Sequence, residues 1–402
     1  MKTKLFASLF LLSIVFPVFA QQIKTASQKQ TSTDEGYVFT TVADLKATSV
    51  KNQAITGTCW CFATTSFIES ELLRMGRGEY DLSEMFVVRY NYIDKLKDNY
   101  LRQGRGNLGE GSLAHDWMIV FSREGIVPEE VYSGLNYGST IHNHSELNAF
   151  INAVAEVPVR RKNESPQYHQ IVDAIFDIYF GKVPETFTYQ GKSYTPKSFA
   201  ASLGINPDDY VEITSFTHFP FYTRGVVEVP DNWRMEKFYN VPLDELIQIM
   251  DYSLTNGYTI AWDGDVSESG FMHSRGIAIL PATEGGDNYS TSMGRAENEG
   301  SQVIYTKTAG NRPVPEIKVT QEIRQAGYEN FSTTDDHMMH ITGLLKDQYG
   351  TKYYKTKNSW GTERNPFGGY LNMSENYVRA KTIFIMVHKN GVPPAIKAKL
   401  GI

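Results

Sequence analysis

The sequence predicts an α+β chain of two lobes, helical where its cysteines lie and strand-rich towards its C-terminal end. Three observations lead there. The 402 residues are 41% hydrophobic and 13% aromatic, enough for a large core and for two lobes, and far from a disordered composition. Apolar residues recur with helical spacing over residues 58–75 and 243–254. Beyond residue 336 they fall into short runs separated by Gly, Asn and Asp, which is a strand pattern.

In chain order, Lys2 and Lys4 precede an apolar run from Leu5 to Phe19, ending in Val18-Phe19-Ala20. That pattern is an export signal with Ala20 as the last residue removed, and residues 1–20 are assigned to it. The run is short for a membrane span of about 20 residues. No cysteine stands near the cut, so the mature chain is expected to have no membrane anchor and to be periplasmic or extracellular. Residues 21–35 are polar and read as a loose leader.

The helix over 58–75 places Trp60, Ala63 and Phe67 on one face and Thr64, Ile68 and Leu72 on another. Thr58 is its expected N-cap, and Gly76 and Gly78 end it. A second helix runs from Leu243 to Leu254, opened by Pro242 and closed by Gly257, and a strand follows over Tyr258–Trp262. Residues 285–315 are rich in Gly, Ser, Thr, Asn and Glu and read as a surface loop or hairpin. Four strands follow, at Ile341–Leu345, Lys352–Lys357, Tyr370–Met373 and Lys381–His388. Residues 136–230 are mixed, and no role is read from them. The chain is thus divided into the signal (1–20) and one further domain (21–402). Within it the helical lobe is mainly 40–135, a mixed insertion is 136–230, and the β-rich lobe is mainly 258–390.

The formal net charge is -6, so no basic field is present to hold nucleic acid by its phosphates. Cys59 and Cys61 are the two cysteines. Two apart on a helix, their side chains diverge and no bridge is expected. Cys59 stands at the helix start, where amide groups and the helix dipole favour an anion, which predicts a lowered thiol pKa and a nucleophile. Cys61 is expected to be a small buried hydrophobe. Taken singly, each candidate has a bland reading too: a buried thiol, a hydrogen-bonded structural histidine, a tight turn at Asn358-Ser359-Trp360-Gly361.

The segment Gln53-Ala54-Ile55-Thr56-Gly57-Thr58-Cys59-Trp60 resembles the nucleophile segment of papain-like cysteine peptidases, where a Gln stands six residues before a Cys-Trp pair. Asp335-Asp336-His337-Met338-Met339-His340-Ile341-Thr342-Gly343 resembles that family's histidine segment, with His337 preferred over His340 by register. Lys357-Asn358-Ser359-Trp360-Gly361 resembles its Asn-Ser-Trp-Gly signature. The resemblance implies a papain-like two-lobe fold, with a helical lobe carrying the cysteine and a β-barrel-like lobe carrying the histidine and asparagine. It also implies a thioester mechanism: Cys59 as nucleophile, His337 as base, Asn358 orienting the base with Trp360 covering that bond, and Gln53 with the Cys59 N–H as oxyanion donors.

Where papain has a disulfide cysteine this chain has Thr56, which points to the bleomycin hydrolase and aminopeptidase C branch. Asn240-Val241-Pro242-Leu243 and Trp262-Asp263-Gly264-Asp265-Val266 resemble segments of that branch, with one residue fewer between Gly264 and Asp265. Gly109-Glu110-Gly111 stands where the family has a strand that pairs with substrate backbone, with Glu110 in place of a glycine; with Trp360 these are the expected substrate-binding residues. The implied substrates are peptides and the implied activity an aminopeptidase. In that branch a C-terminal arm closes the cleft, and this sequence stops at Ile402, so an open-cleft endopeptidase or dipeptide-releasing enzyme stands as the alternative, beside a catalytically silent peptide-binding relative. No cofactor or metal is implied, and neither HExxH nor CxxC occurs. The branch's hexamers leave a homo-oligomer open.

Overall fold

The computed structural model describes residues 36–282 and 309–402. The export signal, the leader and most of the 285–315 loop lie outside them. Among the described residues no helix is long and apolar enough to cross a membrane.

Strand β1 (Thr40–Asp44) leads to the helices α1 (Cys59–Arg74), α2 (Glu84–Leu101) and α3 (Ala114–Glu124). The segment without a sequence assignment holds α4 (Ser145–Arg161), α5 (Pro166–Phe180), the hairpin β2 (Phe187–Tyr189) and β3 (Lys192–Tyr194), and α6 (Pro196–Leu203). It then feeds β4 (Tyr210–Thr214) and β5 (Arg224–Val226) into the main sheet, and β6 (Lys237–Asn240) follows just beyond the segment. Helix α7 (Leu243–Thr255) precedes β7 (Ile260–Gly264), β8 (Phe271–Met272) and β9 (Ile277–Ala278). After α8 (Gln321–Glu329) come β10 (His337–Lys346), β11 (Lys352–Lys357), β12 (Tyr370–Ser374), α9 (Glu375–Lys381), β13 (Thr382–His388) and α10 (Pro394–Leu400).

The sheet runs β5-β6-β4-β13-β7-β10-β11-β12-β9-β8, with β1 paired on β10. Its central strands bury both faces, so they read as continuous apolar runs. Met338, Ala261 and Phe384 face the helical lobe, while their neighbours Met339, Trp262 and Ile385 face the core under α7. Helix α1 lies against the first face and is buried from Trp60 to Leu72 on every side, which explains why it reads as apolar all round rather than amphipathic. It stops at Met75, and Gly76 follows at φ 68°, the left-handed position that glycine takes after a helix.

Expected and observed boundaries differ in places. Strand β7 lies two residues later than the apolar pattern indicates, because Gly264 pairs with both His337 and Thr382. Strand β10 begins four residues earlier than expected, at His337, drawn in by pairing along β7.

Candidate active site

Helix α1 begins at Cys59. Its first internal bonds run from the Cys61 and Phe62 amides to the Thr58 carbonyl, at 2.9 and 3.3 Å. The amides of Cys59 and Trp60 therefore have no acceptor within the helix. Thr58 takes the N-cap position but its hydroxyl does not cap; it lies 2.6 Å from the Thr56 hydroxyl. Cys59 is partly exposed, whereas Cys61 is buried and its thiol donates to the Glu84 carbonyl at 3.3 Å.

The expected low thiol pKa is corrected by the structure. Burial pushes the Cys59 thiol up to about 12; a Met338 backbone hydrogen bond opposes this, and Asp231, Asp263 and Asp335 add to the rise. Partial charge from one helix end is worth only a fraction of a charge, less than the loss of hydration at this thiol.

His337 opens β10, the strand packed on α1. Its Nε2 lies 2.8 Å from Asn358 Oδ1. Asn358 follows the end of β11, and its Oδ1 also accepts from the Ser359 amide at 2.7 Å. Two donors at one oxygen fix the amide's orientation, so Nε2 carries the proton and Nδ1 keeps a free lone pair. Trp360 lies over the imidazole with ring centroids 4.8 Å apart. Burial holds the His337 imidazole down at about 4, with the Asn358 bond pulling upward and His273 adding to the fall. In this structure the pair therefore rests as thiol and neutral imidazole. His340, three residues on, is buried in the lobe interface with Nδ1 2.8 Å from Ser66 Oγ on α1.

Gln53 is buried beside this pair. Its Oε1 accepts from Ser359 Oγ at 2.6 Å, and Nε2 donates to the Thr56 carbonyl at 2.8 Å, which leaves one amide hydrogen. The Gln53 amide also donates to the Ser359 carbonyl at 2.8 Å, tying the residue to the asparagine turn. The Ala54 backbone is left-handed there (φ 52°), a strained conformation costing about 1–2 kcal/mol, held by an Asn52 Oδ1 bond to the Ala54 amide at 2.9 Å.

Gly109-Glu110-Gly111 is irregular chain rather than the expected strand. The Glu110 carboxylate accepts from the Gly57 amide at 2.6 Å, and its carbonyl accepts from Trp60 Nε1 at 3.1 Å. The segment is thereby pinned beside the start of α1, with the Glu110 side chain occupied. Buried Lys95 donates to the carbonyls of Gly109, at 2.8 Å, and Gly111. Three acids near the thiol, Asp231, Asp263 and Asp335, were not singled out from the sequence, nor was His273, whose ring lies 5.0 Å from that of Trp360. Ile402 lies elsewhere, lining a groove of about 640 Å³ with His115, Tyr210 and Glu212.

Residues 317–401, which include His337 and Asn358, match the Peptidase C1-like family model. Cysteine proteinase 1, mitochondrial, of Saccharomyces cerevisiae (strain YJM789) is 25% identical over 426 residues, spanning 94% of this chain and 81% of that protein. The JAY291 strain's protein of the same name is 25% identical over 427 residues, with the same coverage. PepW from Lactobacillus rhamnosis shares the fold at a TM-score of 0.66 and 19% identity, covering 90% of this chain and 84% of that one. The fold is papain-like, and the matched segment and these relatives make the chain similar to cysteine-type peptidases of that superfamily, with the bleomycin hydrolase branch the one they support.

Proposed function

We propose that the protein is an exported aminopeptidase working through Cys59, His337 and Asn358. The observation carrying this reading is the 2.8 Å bond between His337 Nε2 and Asn358 Oδ1, which leaves Nδ1 as the base on a strand packed against the helix that begins at Cys59.

In this mechanism the Cys59 thiol gives its proton to His337 Nδ1 as its sulfur bonds to the substrate carbonyl carbon. The oxyanion that forms accepts from the Cys59 amide and from the free Gln53 amide hydrogen, each donor contributing roughly 3 kcal/mol. The imidazolium then protonates the departing amine as the C–N bond breaks, leaving a thioester on Cys59. Water, deprotonated by His337, attacks the thioester. The acyl group leaves as the carboxylic acid and the thiol is restored. Aminopeptidase action is supported by the branch and by the acids beside the thiol. Export is supported by Lys2, Lys4 and the apolar run to Ala20.

The test uses residues 21–402 under reducing conditions, with a fluorogenic aminoacyl amide and the same amide extended and blocked at its N-terminus. Release from the free-amine substrate, abolished in Cys59→Ala, is expected. Better cleavage of the blocked substrate would make the enzyme an endopeptidase. Activity surviving in Cys59→Ala would overturn the mechanism.

A further inference from the structure

Asp263 is the fourth of the five residues of β7, two residues from Ala261 and opposite Met338, and shares the face these residues turn towards α1. It is 1% exposed, and among the described residues its carboxyl has the carboxyl of Asp335 as its hydrogen-bond partner. A carboxyl so enclosed, with a second acid as its partner, is costly to keep ionised, so burial and the neighbouring acids raise its pKa well above the usual carboxylate range. The carboxyl of Asp335 lies against both the Asp263 carboxyl and the backbone amide of Asp231. Asp231 is the partly exposed member, at the open end of the row.

Asp231 is held against the wall beside the candidate nucleophile. A Cβ on Gly111 would stand 1.9 Å from its Oδ2, so only glycine permits this approach. The preceding carbonyl, Pro230 O, accepts from Asn107 Nδ2 at 2.7 Å. The nearest cation, Lys95, has its ammonium on the carbonyls of Gly109 and Gly111. All three acids oppose formation of a thiolate at Cys59. Burial and mutual repulsion hold Asp263 well above the usual carboxylate range and raise Asp335 to about 8, so these two keep their protons at neutral pH and the partly exposed Asp231 is the acid placed to meet a cation arriving with the substrate. Among the described residues no group of three or more His, Cys, Asp or Glu side chains has the arrangement to hold a metal ion. In a peptide with a free N-terminus, the α-ammonium lies about 2.5 Å from the first carbonyl carbon, by covalent geometry alone. Sulfur attacking that carbonyl brings the ammonium among acids that flank the sulfur.

We propose that Asp231, backed by Asp335 and Asp263, receives the α-ammonium of an unblocked peptide and thereby sets cleavage after its first residue. This rests on the peptidase reading above. The ammonium is bound by the row and also offsets the acids that oppose the Cys59 thiolate, so the substrate assists ionisation of its own nucleophile. Chains with an acylated N-terminus bring no cation and are poor substrates.

The experiment compares wild type with Asp231→Asn on an aminoacyl amide and on its N-acetyl derivative, and follows alkylation of Cys59 by iodoacetamide at pH 7 by mass spectrometry. Asp263→Asn serves as a second variant, altered only inside the row. Asp231→Asn is expected to lower kcat/KM for the free-amine substrate roughly 10- to 100-fold, as loss of a charge-assisted hydrogen bond does, with the acetylated substrate unchanged or better. Iodoacetamide should label Cys59 faster in the variant, because an opposing charge is gone. Asp263→Asn should move both readouts the same way by less. A free-to-acetylated ratio within twofold of wild type in both variants overturns this inference and leaves the peptidase standing. If wild type cleaves neither substrate and Cys59 resists alkylation, the peptidase reading itself fails, and the inference with it.

Discussion

Replacing Asn358 by alanine separates an oriented base from a histidine that merely lies near a cysteine. Asn358 Oδ1 accepts from His337 Nε2 at 2.8 Å and from the Ser359 amide at 2.7 Å, with His337 and Asn358 4% and 2% exposed. Asn358→Ala leaves a buried imidazole N–H without an acceptor, a cost of about 1–3 kcal/mol, and frees the ring to choose the wrong tautomer. If that energy is expressed in the transition state, kcat/KM falls roughly 10- to 100-fold. The pH profile carries the sign. Burial holds His337 down at about 4, and the Asn358 bond is what pulls it up. Without that bond the imidazole becomes more acidic, so the acid limb moves to lower pH while the plateau drops. Asn358→Asp supplies a carboxylate and moves the limb to higher pH. The assay is kcat/KM for the aminoacyl amide from pH 4 to 9. A plateau within threefold of wild type, or an acid limb that rises in the alanine variant, would refute the assigned role of Asn358.

Cys61→Ala should keep peptidase activity within about threefold and lose about 1–2 kcal/mol of stability, since its thiol makes only weak contacts, to Glu84 O at 3.3 Å and Thr65 Oγ1 at 4.0 Å; loss of activity with the fold intact would reopen the choice of nucleophile. Glu212→Gln tests a buried pair on the far side of the helical lobe. Burial lowers the His115 pKa, but Glu212 and Asp116 outweigh it and set it at about 9, with Glu212 Oε2 at 3.0 Å from Nδ1. A folded pKa above the unfolded 6.5 gives stability that is complete below pH 6.5 and lost as pH rises through 9, at most roughly 3 kcal/mol. Urea midpoints should therefore fall for wild type relative to the variant between pH 6.5 and 9, and parallel curves would contradict the pairing.

The parts of this fold that were legible in sequence are those whose signal is local. Helix α1 announces itself through Trp60, Ala63, Phe67, Ile68 and Leu72 and ends one residue short of expectation. Strand β11 matches at both ends because Tyr353 and Tyr354 are bounded by Gly350 and by the asparagine turn. Segment 136–230 was opaque for two reasons. Helix α4 carries Pro158, which argues against a helix when read locally, and β5 is only three residues long, held by β6 rather than by its own composition. A local signal for α5 did exist: Ser165 caps it and Pro166 takes the first helical position. Cys59, His337 and Asn358 stood out because each sits in a short motif, and the fold brings the histidine and asparagine into contact.

Asp263 and Asp335 fall inside segments that resemble the family without carrying a role there, and Asp231 falls in none, because their meaning is tertiary. Asp263 interrupts an apolar strand, and a buried aspartate between Trp262 and Gly264 is the anomaly that composition alone could have raised. Asp231 follows a proline in a loop, where aspartate is ordinary turn chemistry. The loop reaches the cleft because β5 and β6 pair on either side of it and β6 is tied in parallel to β4, which is tied to β13 beside β7. The same strands that extend the sheet past β13 therefore deliver the partly exposed Asp231 to the wall at Gly111, while β7 and the approach to β10 deliver the two acids behind it. On this reading the loop just after the insertion supplies the counter-charge for a substrate's free end, and the resting thiol's reluctance to ionise is the expected consequence of a site completed by that charge.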